Sequence, residues 1–163
     1  MVPVEPRPDD EHFMQAALKL ATAAGHAGEV PVGAVVAVGG RIVGQGSNAP
    51  IARVDPTAHA EIVALREAAQ ALGNYRLTDA NLYVTMEPCV MCAGALVAAR
   101  VKRLVFGTRD LRFGGVRSKF RVADSELLNH QVEITEGVLA AECLALVQEF
   151  FRERRGELPK ASG

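Results

Sequence analysis

Between residues 13 and 24 apolar side chains recur every third or fourth position: Phe13, Ala16, Ala17, Leu20, Ala21 and Ala24. That rhythm predicts a helix with one apolar face. Asp9, Asp10 and Glu11 suit its positive N-terminal end, and Gly25 is its expected stop. The rhythm then changes. Residues 33–38 and 41–46 read as two strands joined by Gly39-Gly40, a hairpin signal. A second helix is expected to open at Asp55-Pro-Thr57, to carry Ile62, Leu65, Ala69 and Leu72, and to close at Gly73. Residues 81–86 read as a strand, 89–99 as a short helix, and 101–107 and 131–135 as further strands. A last helix carries Leu139, Cys143, Leu146, Val147 and Phe150 on one stripe, which makes Cys143 a core cysteine. The stretch 108–130 is long for a loop in a compact domain, and a short helix is expected within it around 122–128. Strands alternating with helices predict a three-layer α/β/α fold, a sheet of about five strands covered on both faces.

Composition changes this picture little. The 163 residues suit one domain, 1–163, with an ordered core over about 9–156 and frayed ends. A content of 49% hydrophobic and 23% charged residues is that of an ordinary soluble protein. No segment has the roughly 20 consecutive apolar residues that cross a bilayer, so no membrane partner is expected. Residues 1–13 lack the apolar run of a signal peptide, and a cytoplasmic location is expected. The net charge of −1 gives no global attraction to nucleic acid, so any RNA contact needs local basic patches.

The cysteines carry more. Three cannot all pair within one chain, and two lie in Cys89-Val-Met-Cys92, a spacing that in a reducing compartment points to metal or redox chemistry. Three residues apart on a helical turn, their sulfurs share a face and can share an ion. His59-Ala-Glu61 starts one predicted helix, and Pro88-Cys89 starts another about 30 residues later. One imidazole (His59) and two thiolates (Cys89, Cys92) leave a fourth tetrahedral position open, the arrangement of a catalytic rather than a structural zinc site. Glu61, two residues after His59, is not on its face of a regular helix. At a first turn, however, side chains can converge beyond the helix end. There a carboxylate can take the proton of a water that zinc acidifies.

The combination H-x-E…P-C-x-x-C marks zinc nucleobase deaminases. Further segments narrow the resemblance: Val30-Pro-Val-Gly-Ala34, Asp55-Pro-Thr-Ala-His-Ala-Glu61, Asn74-Tyr-Arg-Leu77, Leu82-Tyr-Val-Thr-Met-Glu-Pro-Cys-Val-Met-Cys-Ala-Gly94, Asn129-His-Gln-Val-Glu-Ile-Thr-Glu-Gly137 and Phe150-Phe-Arg-Glu-Arg-Arg155. From about Phe13 to Arg155 the chain resembles the bacterial tRNA-specific adenosine deaminases, of the cytidine/deoxycytidylate deaminase superfamily. The zinc segments alone also fit guanine or cytosine deaminases. Asn74–Leu77 and the last two segments point to the tRNA branch.

The resemblance implies a cytidine-deaminase-like fold with a mixed sheet. It also implies one Zn2+ per subunit on His59, Cys89 and Cys92, a homodimer, and a tRNA anticodon stem-loop as partner. The implied reaction turns the wobble adenosine into inosine and releases ammonia, with Glu61 protonating N1 and then the departing amine. By the same carry-over Asn48 hydrogen-bonds the flipped base, Val30 and the Ala60 backbone line the pocket, and Asp110 reaches a ribose hydroxyl. Between residues 109 and 121, Arg109, Arg112, Arg117, Lys119 and Arg121 face one acid, Asp110, with Phe113 and Phe120 interleaved. Phe151 lies beside Arg152, Arg154 and Arg155. Both stretches suit RNA contact. One departure stands out: the family commonly reads Gly-Ala-Ala-Gly-Ser where this chain has Gly114-Gly-Val-Arg-Ser118.

Overall fold

The computed structural model describes residues 3–157; of the frayed ends expected on either side of 9–156, residues 1–2 and 158–163 lie outside the described residues. In chain order the elements are α1 (Asp10–His26), β1 (Gly33–Val38), β2 (Arg41–Ser47), α2 (Pro50–Arg53), α3 (Ala60–Leu72), β3 (Asn81–Met86), α4 (Val90–Ala98), β4 (Arg103–Thr108), β5 (Glu133–Glu136) and α5 (Ala140–Glu157). The five strands form one mixed sheet in the order β2-β1-β3-β4-β5. β1 runs antiparallel to β2 and β3, whereas β3, β4 and β5 are parallel.

Alternation along the strands builds two cores. Val36, Leu82, Val84, Leu104, Phe106 and Ile134 pack on the face covered by α3 and α4. Val35, Ala37, Tyr83 and Val105 pack on the other, against Phe13, Met14 and Ala17 of α1 and Cys143 of α5. Buried on both faces, such strands read as continuous apolar runs, as Gly33-Ala-Val-Val-Ala-Val38 does. The expected three layers are present. Cys143 is buried, and burial pushes its thiol up to about 12.

Two glycines position α3. A Cβ on Gly44 or Gly46 would collide with the α3 backbone around Ala60, Ala64 and Ala68. Their bare backbone lets the helix lie directly on β2, which sets His59 beside the end of the sheet.

Several expectations shift. Gly25 does not stop α1, which runs on to His26; the left-handed position belongs to Gly28, with φ 87°. Asp55 does not open a helix. Its carboxylate accepts from the Thr57 amide and hydroxyl, both at 2.8 Å, closing a turn ahead of α3. No helix forms around residues 122–128. Val122 N–H donates to Gly115, Ser125 N–H to Val122 and Leu128 N–H to Ser125, a chain of turns rather than a run of i−4 bonds. Leu127 is 95% exposed, so the segment has no apolar stripe to bury. Val101 and Val132 are buried, but their amides bond Leu96 and Ala123 instead of neighbouring strands, so β4 and β5 begin later than their apolar runs.

A polar network lies within the second core. Arg103, with no exposed surface, donates to both Asp10 oxygens at 2.8 and 2.7 Å and to Thr135 Oγ1 at 2.9 Å. Tyr83 Oη donates to Asp10 at 3.2 Å. Burial works to raise the Asp10 pKa, but the Arg103 bonds and the Arg7 amide outweigh it and hold the carboxyl below its ordinary range.

Candidate active site

Two helices begin at the same place. His59 is the N-cap of α3 and Cys89 the N-cap of α4, both with extended backbone (ψ 153° and 176°). Cys92 follows within the first turn of α4. His59 Nδ1 lies 3.5 Å from each of the two sulfurs, and the three ligand atoms fall within 4.8 Å of one another. Zn–N near 2.0–2.1 Å and Zn–S near 2.3 Å at a tetrahedral angle require N–S separations of roughly 3.6 Å. The donor set and its spacing fit a tetrahedral cation with one position left open.

The electrostatics agree with ligand duty. The Cys92 thiol donates toward Cys89, burial opposes, and His59 adds its own bond, which together pull Cys89 down to about 4. Cys92 is pushed up correspondingly by the same contact. The Cys89 bond, opposed by burial and aided by the Glu61 charge, raises the His59 pKa. A bound cation would replace the protons that now hold these groups together.

Glu61, in the first turn of α3, is 3% exposed and lines the same cavity as His59 and Cys89. Burial pushes its carboxyl up to about 7, against the helix amides and the His59 charge that lower it. The cavity encloses about 460 Å³ and is further lined by Val30, Val32, Asn48, Met86, Asp110, Phe113 and Phe151. That volume suits a single base. Asn48 Oδ1 accepts the Ala60 N–H at 3.0 Å. Because an amide N–H only donates, this bond fixes the carboxamide and leaves Nδ2 as a free donor. Ala60 itself is buried beneath the wall, outside the cavity lining, with its N–H committed to Asn48.

A second groove of about 970 Å³ adjoins this cavity and shares Met86, Asp110, Arg112 and Phe151 with it. Arg109, Arg152, Arg154 and Arg155 line its walls. The arginines differ in freedom. Arg109 is bonded to Glu136 at 2.8 Å, and Arg117 is turned inward onto Asp124 at 3.0 Å. Arg154 donates to the Gly28 carbonyl and stacks over Phe150 at 4.5 Å. Among the described residues Arg112, Lys119, Arg121, Arg152 and Arg155 form no ion pair.

Glu87 was not singled out by sequence reasoning, yet it organises the loop that walls the cavity. Its buried carboxylate accepts from the amides of Asp110, Val116, Arg117 and Ser118 and from the Ser118 hydroxyl. Burial works to raise its pKa, and these donors bring it below the ordinary value instead. A Cβ on Gly114 would strike this carboxylate, and one on Gly115 would strike the start of α4. Four of the five bonds come from backbone amides. These bonds therefore fix the loop through its backbone, whatever side chains Val116 and Arg117 carry. Glu29 is a second omission: it is buried and accepts from the Ile51 and Ala52 amides at the start of α2. Position in the Glu-Pro-Cys run was the one available signal for Glu87, and Glu29 had none.

A family model described as MafB19-like deaminase matches residues 8–155. The tRNA-specific adenosine deaminase of Haemophilus influenzae is 51% identical over 91% of this chain and 86% of its own length. The chain belongs to the tRNA-specific adenosine deaminases. The Bacillus subtilis member is 44% identical to this deaminase over 90% of it and 91% of the relative. A solved tRNA:A34 deaminase, which edits A to I at the wobble position of transfer RNA, superposes with a TM-score of 0.80 at 41% identity, covering 83% of this chain and 98% of that one. A guanine deaminase from Nitrosomonas europaea superposes with a TM-score of 0.76 at 26% identity, covering 91% and 86%.

Proposed function

We propose that this deaminase hydrolyses adenosine to inosine at the wobble position of a tRNA anticodon, with release of ammonia. The observation that carries the reading is the join between the two concavities: a base-sized pocket holding Glu61 and Asn48 opens into an arginine-lined groove through Asp110, Arg112 and Phe151. A free base needs the first and has no use for the second, whereas RNA needs both.

His59, Cys89 and Cys92 are the residues that would hold a zinc ion, one per subunit, and zinc supplies Lewis acidity that makes water nucleophilic near neutral pH. The protein's own groups do the rest. Asn48 Nδ2 donates to the flipped base, while Val30 and Phe151 give it apolar walls and exclude water. Glu61 accepts a proton from the attacking water and passes it to ring N1. The carboxylate then takes the remaining O–H proton of the added water and delivers it to the 6-amino group as the C–N bond breaks and the C=O forms, so one water is consumed and one ammonia leaves. Buried in the cavity beside the ligand set, that carboxyl is placed to serve both transfers. Asp110 Oδ1 accepts the Arg112 and Phe113 amides at 3.1 and 3.2 Å, which leaves its second oxygen for a ribose hydroxyl. The exposed phenyl of Phe113 and the exposed edge of Phe151 offer stacking surfaces beside the pocket mouth.

Two further parts of the reading are a homodimer and a cytoplasmic location. The dimer is supported by an apolar groove on the α3–α4 layer, lined by Ile62, Leu65, Ala69, Ala95 and the exposed Tyr75. A cytoplasmic location follows from tRNA as substrate; among the described residues no helix is long and apolar enough to cross a membrane.

Free-purine deamination is the second reading, favoured by the shared fold of the guanine deaminase. Parallel incubations with an anticodon stem-loop bearing a wobble adenosine, and with free guanine, adenine and cytosine, separate the two. The expected result is inosine in the RNA and no ammonia from the bases. Ammonia from guanine with unaltered RNA would overturn the tRNA reading.

A further inference from the structure

The catalytic cavity lies at the C-terminal ends of β3 and β4, where Met86 ends β3 and Glu87 and Asp110 follow the strands. At the other end, before β3, β4 and β5 begin, a second concavity of about 470 Å³ is walled by Arg76, Arg100, Lys102 and His130, with Thr78 and Gln131 between them. A six-residue strand separates the two, a distance of roughly 17–20 Å. The basic residues come from three separate stretches of chain and meet only through the fold.

Three features distinguish this cluster from scattered surface charge. Among the described residues, none of Arg76, Arg100 and Lys102 forms an ion pair. The one carboxylate in the wall, Glu133, faces Arg7 at 3.9 Å instead. In a chain with 19 acidic residues against 18 basic ones, three cations against one carboxylate in a concavity are a local focus of positive potential. Second, Arg100 has φ 61°, a left-handed backbone that favours glycine. Arg100 there closes α4, its own N–H on the Val97 carbonyl and the Val101 N–H on Leu96. It donates to the Asn129 carbonyl at 3.0 Å and retains further guanidinium donors. Third, His130 Nε2 lies 2.7 Å from the Val101 carbonyl and must donate to it, so the ring is held in one orientation at the wall.

We infer that this concavity is a phosphate-binding site, recognising a phosphate group through Arg76, Arg100 and Lys102 at the end of the sheet remote from the catalytic cavity. Arginine fits phosphate through paired N–H bonds and lysine through its point charge, and both types are present. The phosphate comes either from the tRNA backbone beyond the anticodon loop or from a free phosphate compound. Only the first source rests on the proposed function.

The test uses the whole, metal-loaded protein and the double variant R76Q/K102Q, which leaves the Arg100 and His130 backbone contacts in place. Inorganic pyrophosphate is titrated while the His130 imidazole resonances are followed by NMR. Binding of a full-length tRNA is measured from low to high salt. Metal content and Tm of the variant report that it is folded. The expected result is a saturable His130 shift in the natural chain that is lost in the variant. A tRNA salt slope lowered by about one to two in the variant assigns the phosphate to RNA, with affinity down several-fold at fixed salt; this supports the site with or without the pyrophosphate response. A lost pyrophosphate response with an unchanged slope assigns it to a free phosphate compound. No His130 response together with an unchanged slope overturns the site, whether or not the protein makes inosine.

Discussion

The start of α3 and the end of β3 each place a glutamate in the wall of one cavity, and each glutamate is 3% exposed. Their chemistry diverges because their donors do. Glu87 receives five hydrogen bonds from the 110–118 loop and is held ionised below its ordinary range. Glu61 sits with little to offset its burial and rises to about 7. Burial alone therefore says nothing about whether a carboxylate moves protons. The number of donors that face it decides, and here it separates a carboxyl raised to about 7 from one held below its ordinary range.

The contrast can be broken or sharpened by substitution. Glu61→Gln keeps shape and removes the transferable proton; turnover on the RNA stem-loop is expected to fall by about 10²–10⁴-fold or more. Single-turnover assays measure it. Asp10→Asn probes a third buried carboxylate, one balanced by a cation. It leaves Arg103 uncompensated, and denaturant unfolding should show a loss of about 3–5 kcal/mol. The Asp10 pKa is lowered in the folded state, so its contribution is present above about 3.8 and is lost as pH falls through the lower folded value. The variant should therefore show a flatter acid limb of stability.

Glu87→Gln replaces an acceptor of five bonds by a group that must itself donate. The expected loss is about 1–3 kcal/mol, with KM for the stem-loop raised more than kcat is lowered and metal content unchanged. Intact KM would detach the loop from substrate binding. The subtlest test compares the two glutamates directly in metal-free protein. Glu87, with a lowered pKa, stabilises above about 4.5, so its Gln variant should have a lower Tm at pH 8. Glu61, with a raised pKa, does the opposite: stability is lost as pH rises from about 4.5 towards 7, so its Gln variant should have a higher Tm at pH 8. Shifts of the same sign would refute the contrast.

The two glutamates also differ in how far they were legible. Glu61 stands in a short pattern with His59, Cys89 and Cys92, and the helix starts that bring them together follow from local periodicity and N-terminal signals. The layers and strand alternation were legible for the same reason. Glu87 was not, because its partners lie 23 to 31 residues away along a loop with no period. Arg103 reads as a strand residue until the register places it against Asp10, 93 residues distant. The helix expected at 122–128 failed likewise: Arg117 draws Asp124 inward, the Val122 amide answers to Gly115, and the Ser125 and Leu128 amides close short turns on Val122 and Ser125 instead of i−4 bonds. Local pattern reaches elements and their ends; long-range polar partners appear only once the sheet is assembled.

The proposed reaction has Glu61 moving the protons of an RNA adenosine deamination while His59, Cys89 and Cys92 hold the metal. Its most direct test measures zinc content and single-turnover inosine formation on the same samples of natural protein and Glu61→Gln, using a stem-loop with a wobble adenosine. One zinc per chain is expected in both proteins, with inosine from the first and a rate at least about 10²-fold lower from the second. Equal rates with equal zinc would contradict it.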